Sequence, residues 1–344
     1  MTRRSRQRDI ARLAGVSQTT VSLALNGKTA EHGINAATEQ KIMAAARELG
    51  YVPNVTARAL RGGRNGLIGV HAFEPLFPTS QATYYEEMMV GIEQQAIRSG
   101  QDLVLFTSIH QEEGSASIFH EGRNRLRIAD GAIILGFDQH DDELARLARD
   151  GFPFVFVGRR ERAAALMPYV TADYEAAVVA TTTRIHEHGH HRVAYLGLDD
   201  NAEPRMERRR GFNAACADFG MFVVDETLTR RGGLEQDWLA RVLDGGVTAV
   251  VVESADVLVQ VAALCAERGV TIPDQLSVVG LDSIDDGIAA SHQWTHIEVP
   301  RRDIGARAVS LLLEVLDGQH ELTYHERLPC RFEPGATLAR PPVQ

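Results

Sequence analysis

The chain has three cysteines in 344 residues, Cys216, Cys265 and Cys330. Their odd number and wide spacing exclude a disulfide framework and a clustered zinc site. They read as small reduced core residues, as expected of a cytoplasmic protein. No run of about 18–20 apolar residues occurs, so no membrane span is expected. The N-terminus, Met1-Thr2-Arg3-Arg4-Ser5-Arg6-Gln7-Arg8, is basic but no apolar segment follows it, which sets aside a secretory or twin-arginine signal. Also missing are a Gly-x-Ser-x-Gly elbow, a Walker loop and a Gly-x-Gly-x-x-Gly turn after a strand. No enzyme activity, catalytic residue or cofactor is therefore expected.

One enzymatic pattern is present in letters. His186-Glu187-His188-Gly189-His190 satisfies the H-E-x-x-H rule of zinc hydrolases. That chemistry needs His186 and His190 one turn apart on a continuous helix. Gly189 reads instead as the helix end, bending His190 away, and a third ligand is not evident. The sequence thus predicts no metal, and a metallohydrolase using His186 and His190 stands as a disfavoured alternative.

What the chain does have is a strong division of charge. Residues 1–66 carry a net charge of +7 and residues 67–344 a net charge of −17. A basic module on an acidic body is expected when one end meets a polyanion. Within the basic part, residues 9–14 read as a short helix with Ile10, Leu13 and Ala14 on one face. Gly15 supplies a turn, and Ser17 is placed to cap the next helix by accepting from the Thr20 amide. That helix runs from Gln18 to Leu25 with Val21 and Leu25 inward, closed by Asn26-Gly27. Two short helices about a glycine turn make a helix-turn-helix, with Gln18, Thr19, Ser22 and Leu23 outward. Asn35 caps a third helix, Ala36 to Leu49. Beyond Pro53, Asn54 caps a helix of about two turns, Val55 to Arg61, too short to persist in water unless something packs on it. Ala57 and Leu60 share its apolar face, with Arg58 and Arg61 alongside, a wedge suited to a minor groove.

After Gly66 short apolar strands alternate with amphipathic helices. Strands are expected at residues 67–70, 102–107, 131–135, 154–157, 193–196, 249–252 and 277–280. Continuous apolar runs between helices imply parallel strands covered on both faces, in two α/β halves of similar size.

Three stretches of the basic part resemble the head of LacI/GalR-family transcriptional regulators. They are Asp9-Ile10-Ala11-x-Leu13-Ala14-Gly15-Val16-Ser17-x-x-Thr20-Val21-Ser22, Leu25-Asn26-Gly27 and Glu48-Leu49-Gly50-Tyr51-x-Pro53-Asn54. In the body, Gly189-His190-x-Arg192, Arg208-x-x-Gly211-Phe212 and Pro273-x-x-x-Ser277-Val278-Val279-Gly280-x-Asp282 resemble landmarks of the same family, so the resemblance covers almost the whole chain. There are departures. Leu23 stands where the family often has a guanine-reading Arg, Arg6 stands at the usual Thr cap of the first helix, and Glu253-Ser254-Ala255-Asp256 replaces an Asn-Asp.

The resemblance implies a small all-α helix-turn-helix head plus an α/β body of two Rossmann-like lobes, like periplasmic binding proteins. The expected domains are a DNA-binding head at 1–53, a hinge helix and linker at 54–65, and an effector-binding and dimerisation body at 66–344. The first lobe is expected at about 66–166 and 297–326, the second at about 167–296 and 327–344. A homodimer would bind a pseudo-palindromic double-stranded operator. Gln18, Thr19 and Leu23 would meet base edges, while Ser17, Thr20 and Ser22 position phosphates. Asn54, Ala57, Arg58 and Leu60 would occupy the central minor groove. A small-molecule effector, a sugar or polyol, would lie between the lobes, held by Arg208 and Asp282, with Tyr84, Tyr85, Arg159 and Trp294 nearby. The expected function is an effector-controlled transcriptional regulator, a repressor by family habit. A sugar receptor without DNA function and a regulator lacking any effector are the other readings.

Overall fold

The structure is a computed structural model that describes the chain apart from residues 1–4, 26–28, 30, 52–63, 75, 77–81, 108–116, 137–139, 161–166, 231, 285–291, 321–322 and 343–344. It divides into two compact units, Met1–Asn65 and Gly66–Gln344.

The first unit packs α1 (Gln7–Ala14), α2 (Gln18–Leu25) and α3 (Ala36–Glu48) around Ile10, Ala11, Val21, Ala24, Ile42, Ala45 and Ala46. The start of α1 has no Ser or Thr cap. Instead the Asp9 carboxylate accepts the Arg6 N–H at 2.9 Å, satisfying one of the orphan donors at a helix start. The Ser5 hydroxyl donates to the Leu49 carbonyl at 2.8 Å, pinning the beginning of α1 to the end of α3. Leu13, expected inside, is 47 % exposed. At 100° per residue, Ile10, Ala14 and Ala11 span one arc, and Leu13 falls about 110° from its middle. Gly15 turns the chain with φ of +68°. Asn35 caps α3 by accepting from the Thr38 amide at 2.8 Å. The expected closure of α2 by Asn26-Gly27 lies outside the described residues.

In the second unit two six-stranded sheets form two lobes. The strands are β1 (Leu67–Ala72), β2 (Asp102–Phe106), β5 (Gly131–Leu135), β6 (Phe154–Val157), β7 (Tyr169–Ala172) and β13 (His325–Leu328) in the first, ordered β13-β7-β6-β5-β1-β2 and parallel throughout. The short hairpin of β3 (Phe119–His120) and β4 (Arg123–Asn124) stands apart. The second sheet contains β8 (Arg192–Leu198), β9 (Phe222–Thr229), β10 (Ala249–Val252), β11 (Ser277–Gly280), β12 (Thr295–Glu298) and β14 (Arg331–Glu333). Its order is β14-β12-β11-β10-β8-β9, with β14 alone antiparallel.

Helices cover both faces of each sheet, as the parallel strands that make up all of the first and all but one of the second require. In the first lobe α4 (Ala82–Arg98) and α10 (Arg301–Leu316) share a core with β1, β5 and β6, and α5 (Asp141–Arg149) covers the opposite face. In the second lobe α6 (Tyr174–Glu187) and α7 (Glu203–Asp218) cover one face, α8 (Trp238–Asp244) and α9 (Ala255–Arg268) the other. Helices α4 and α10 touch backbone to backbone. A Cβ at Gly91 would overlap the Arg302 carbonyl, and one at Gly305 would overlap the Met88 carbonyl. Only paired glycines permit that approach, which fixes Tyr85 and Met88 on α4 against Ile304 on α10.

The strand memberships move the lobe boundaries. Both Tyr169–Ala172 and His325–Leu328 belong to the first sheet, so the chain leaves that lobe after Ala172 rather than at 166, and again after Leu328 rather than at 326. It returns between Glu298, the end of β12, and Arg301, the start of α10.

Candidate functional site

In the first unit the α2 N-terminus is built as its residues dictate. The Ser17 hydroxyl accepts from the Thr20 amide at 3.0 Å and lies 2.8 Å from the Thr20 hydroxyl. Ser17, Gln18 and Thr19 are exposed, while Thr20, Ser22 and Leu23 are half-buried. The start of the helix thus offers the Gln18 amide, the Thr19 hydroxyl and the apolar Leu23 among further hydroxyls, groups of the kind a recognition helix presents to a groove. Asn54, Ala57, Arg58 and Leu60, the expected hinge residues, lie outside the described residues.

In the second unit a cleft, open to solvent, lies at the carboxyl ends of the first-lobe strands. Its walls include Tyr85, Met88, Val157, Arg159, Arg160, Thr171 and Ile304 from the first lobe. Tyr174 and Pro204 face them from the start of α6 and α7. Ligands of open α/β sheets gather in such crevices. Tyr85 is 2 % exposed, and its hydroxyl donates to Glu74 at 2.8 Å. Tyr84 lies on α4, but its side chain is outside the described residues.

Beside the cavity the charges are paired. Arg208 on α7 donates to Asp282, which follows β11, at 3.3 Å, and its guanidinium lies 4.4 Å from the centre of the Tyr174 ring. Arg301, the first residue of α10, reaches the same Asp282 oxygen from the other lobe. Arg159, at the end of β6, donates to Glu207 on α7 at 2.8 Å. That hydrogen bond outweighs burial and holds the Arg159 guanidinium above its ordinary basicity. Arg160 is buried and donates to the Gly136 carbonyl at 2.7 Å; burial pulls its pKa down. Arginine–carboxylate geometry of this kind also suits hydroxyl recognition by charge-assisted hydrogen bonds.

Of the residues expected at the effector site, Tyr85 and Arg159 line the cleft, while Arg208 and Asp282 pair with each other beside it, outside its lining. Trp294, expected beside it, does not line the cavity. It is 4 % exposed and belongs to the second-lobe core with Leu276 and Val278. Burial of its ring beneath α9 follows from its place just ahead of β12, whose Thr295 points inward too. Glu253, in the stretch that departs from the family's Asn-Asp, is 1 % exposed. It accepts from the Leu198 amide at 3.2 Å and pairs with Arg205 at 3.3 Å. Burial raises its pKa, and Arg208 and Arg205 oppose that rise.

The H-E-x-x-H cluster does not converge. Helix α6 ends at Glu187, and Gly189 has φ of +94°. His190 is fully buried; its Nε2 donates to the Ala339 carbonyl at 2.7 Å and its Nδ1 lies 2.8 Å from the Thr248 hydroxyl. Both ring nitrogens are thereby used in tying down the C-terminal segment. His186 instead stacks on Phe219, with centroids 4.9 Å apart. No group of three or more potential ligands that could hold a metal occurs among the described residues.

Glu207, Arg301, Arg327 and Tyr174 were not singled out from sequence. A signal for Glu207 existed: Glu203, Glu207 and Gly211 recur every four residues, so two carboxylates sit on the buried face of α7. A charge on a buried helical face demands a partner.

Residues 8–54 match the family described as bacterial regulatory proteins, lacI family, and residues 182–338 match a periplasmic binding protein-like domain. Among characterised proteins, the chain is 28 % identical to the HTH-type transcriptional repressor PurR of Photobacterium profundum, covering 94 % of this chain and 95 % of that one. It is 25 % identical to catabolite control protein A of Priestia megaterium, over 94 % and 96 % of the two chains. Among solved structures, the lac repressor dimer bound to operator and the anti-inducer ONPF aligns with a TM-score of 0.75 at 22 % identity, over 98 % of this chain and 100 % of that one. A complex of the transcriptional regulator CelR with cellobiose aligns with a TM-score of 0.64, also at 22 % identity, over 97 % and 100 %. With a helix-turn-helix head, a two-lobed periplasmic-binding-protein-like body and full-length relatives of the same build, the chain belongs to the LacI/GalR family of transcriptional regulators.

Proposed function

We propose that the chain is a homodimeric repressor whose grip on its operator is set by a small uncharged metabolite, a sugar or polyol, bound in the cleft between the lobes. The observation that carries this reading is a cleft walled by Tyr85 and Arg159 from one lobe and by Tyr174 and Pro204 from the other, with the Arg208–Asp282 pair beside it and the Arg208 guanidinium 4.4 Å from the centre of the Tyr174 ring. The tyrosine ring offers an apolar face, and the arginines and Asp282 offer charge-assisted hydrogen bonds to hydroxyls. Cellobiose is bound by CelR, one of the structural neighbours.

At the other end, Gln18, Thr19 and Leu23 read base edges, while Ser17, Thr20 and Ser22 fix the helix on phosphates. Leu23 offers only apolar contact, as to a thymine methyl, so guanine is not selected there. Asn54, Ala57, Arg58 and Leu60 form the minor-groove element that duplex binding orders. The effector acts by changing lobe closure, which alters the separation of the paired hinges and so their ability to fold.

The test is an anisotropy titration of duplex selected from a random pool by the protein itself, repeated with a panel of mono- and disaccharides and polyols. A compound that raises the melting temperature should change duplex affinity. Absence of any selected duplex would remove the DNA-binding reading, and stabilising compounds without effect on duplex binding would remove the coupling.

A further inference from the structure

We propose that Glu207 is the latch that holds the two lobes closed before any effector enters. The proposal takes the cleft as the effector's entrance, but its test uses no effector, so either reading can fail without the other.

Glu207 sits on α7 of the second lobe with its side chain 1 % exposed. A carboxylate that far from water is tolerable only when paired. Its partners at close range are Arg159 at 2.8 Å and Arg327 at 3.9 Å, both from the first lobe. From its own helix only Arg210 approaches, at 4.0 Å, and that side chain is 43 % exposed. The carboxylate therefore keeps its nearest cation only while the lobes are together.

The other carboxylate at the seam behaves differently. Asp282 is bridged across the lobes by Arg301 but is also held by Arg208 of its own lobe. Opening would leave Asp282 paired and would strip Glu207 of Arg159 and Arg327. Glu207 is thus the group whose pairing reports closure. Arg159 lines the cavity, so an entering ligand meets the latch directly.

Hydrogen–deuterium exchange on the full-length, ligand-free protein separates this role from plain structural support. In Glu207→Gln, which keeps volume and loses charge, amides on the cleft walls at residues 157–160 and 205–208 should exchange roughly tenfold faster, while the second-lobe strands β8, β10 and β11 are unchanged. Arg159→Gln should reproduce the effect, and it serves if Glu207→Gln does not fold. Unchanged exchange at the cleft in both variants, or acceleration throughout the second-lobe sheet, would each overturn the proposal.

Discussion

Arg208 and Asp282, 74 positions apart in the chain, meet at 3.3 Å, and Arg301 from the opposite lobe joins the same carboxylate oxygen. This three-membered arrangement makes the two partners unequal as experimental handles. Asp282 neutralises two arginines that are 4 % and 8 % exposed, whereas loss of Arg208 leaves Asp282 still paired with Arg301.

Asp282→Asn should therefore damage the body itself. Removing one partner of a buried charge cluster costs about 3–5 kcal/mol, and the 15 % exposure of Asp282 places the loss toward the lower end. Urea unfolding of the variant should show a lowered midpoint with an unchanged slope; a wild-type midpoint would mean that the cluster contributes nothing to folding.

The contact of α4 with α10 predicts a second loss. Gly91→Ala places a methyl group into the Arg302 carbonyl, and the helices must separate. The expected cost is about 1–3 kcal/mol. The same separation pulls Tyr85 and Met88 away from Ile304 across the cavity, so ligand-induced stabilisation should shrink as well. Unaltered melting in the variant would contradict the close approach.

His190 supplies a pH dependence. Burial lowers its pKa, and the hydrogen bond to the Ala339 carbonyl only partly opposes that. With the folded pKa below the unfolded value of about 6.5, the contribution is complete above that pH and is lost as pH falls through the folded pKa. The urea midpoint of wild type should drop as pH falls below about 6.5, and His190→Gln, though less stable, should drop less steeply. Equal slopes would show that His190 does not titrate in this range.

The hinge gives a prediction that rests on sequence alone. Leu60→Ala should weaken duplex binding by about tenfold, the scale of losing one apolar wedge from a base step, without altering effector binding by the free protein. Equal duplex affinity in wild type and variant would take the wedge out of the account.

What could be read beforehand was local. Gly15, Ser17 and Asn35 announce their turn and caps within four residues, and the observed hydrogen bonds follow them. The apolar strands 131–135, 154–157, 249–252 and 277–280 stand at the residues expected, because a strand covered on both faces is a continuous apolar run. Strand β9 was not legible. It is a sheet edge with polar residues such as Asp225 and Glu226, and edge strands lose the apolar signature. Leu13 and Trp294 were misplaced for a related reason: an apolar residue states that it prefers burial, not which surface covers it. Arg208 and Asp282 were singled out through motif resemblance, and the structure pairs them with each other, whereas Glu207 needed the fold, since its arginines lie 48 and 120 positions away.

The most direct test of the account compares wild type with Arg208→Ala in duplex-binding titrations containing a sugar that stabilises the wild-type body. Wild type should change its duplex affinity by about 5–150-fold, the usual range of coupling between sites. Arg208→Ala should bind duplex as wild type does and change by less than about twofold on addition of the sugar. An equal response in both proteins would contradict the placement of the effector at Arg208 and Asp282.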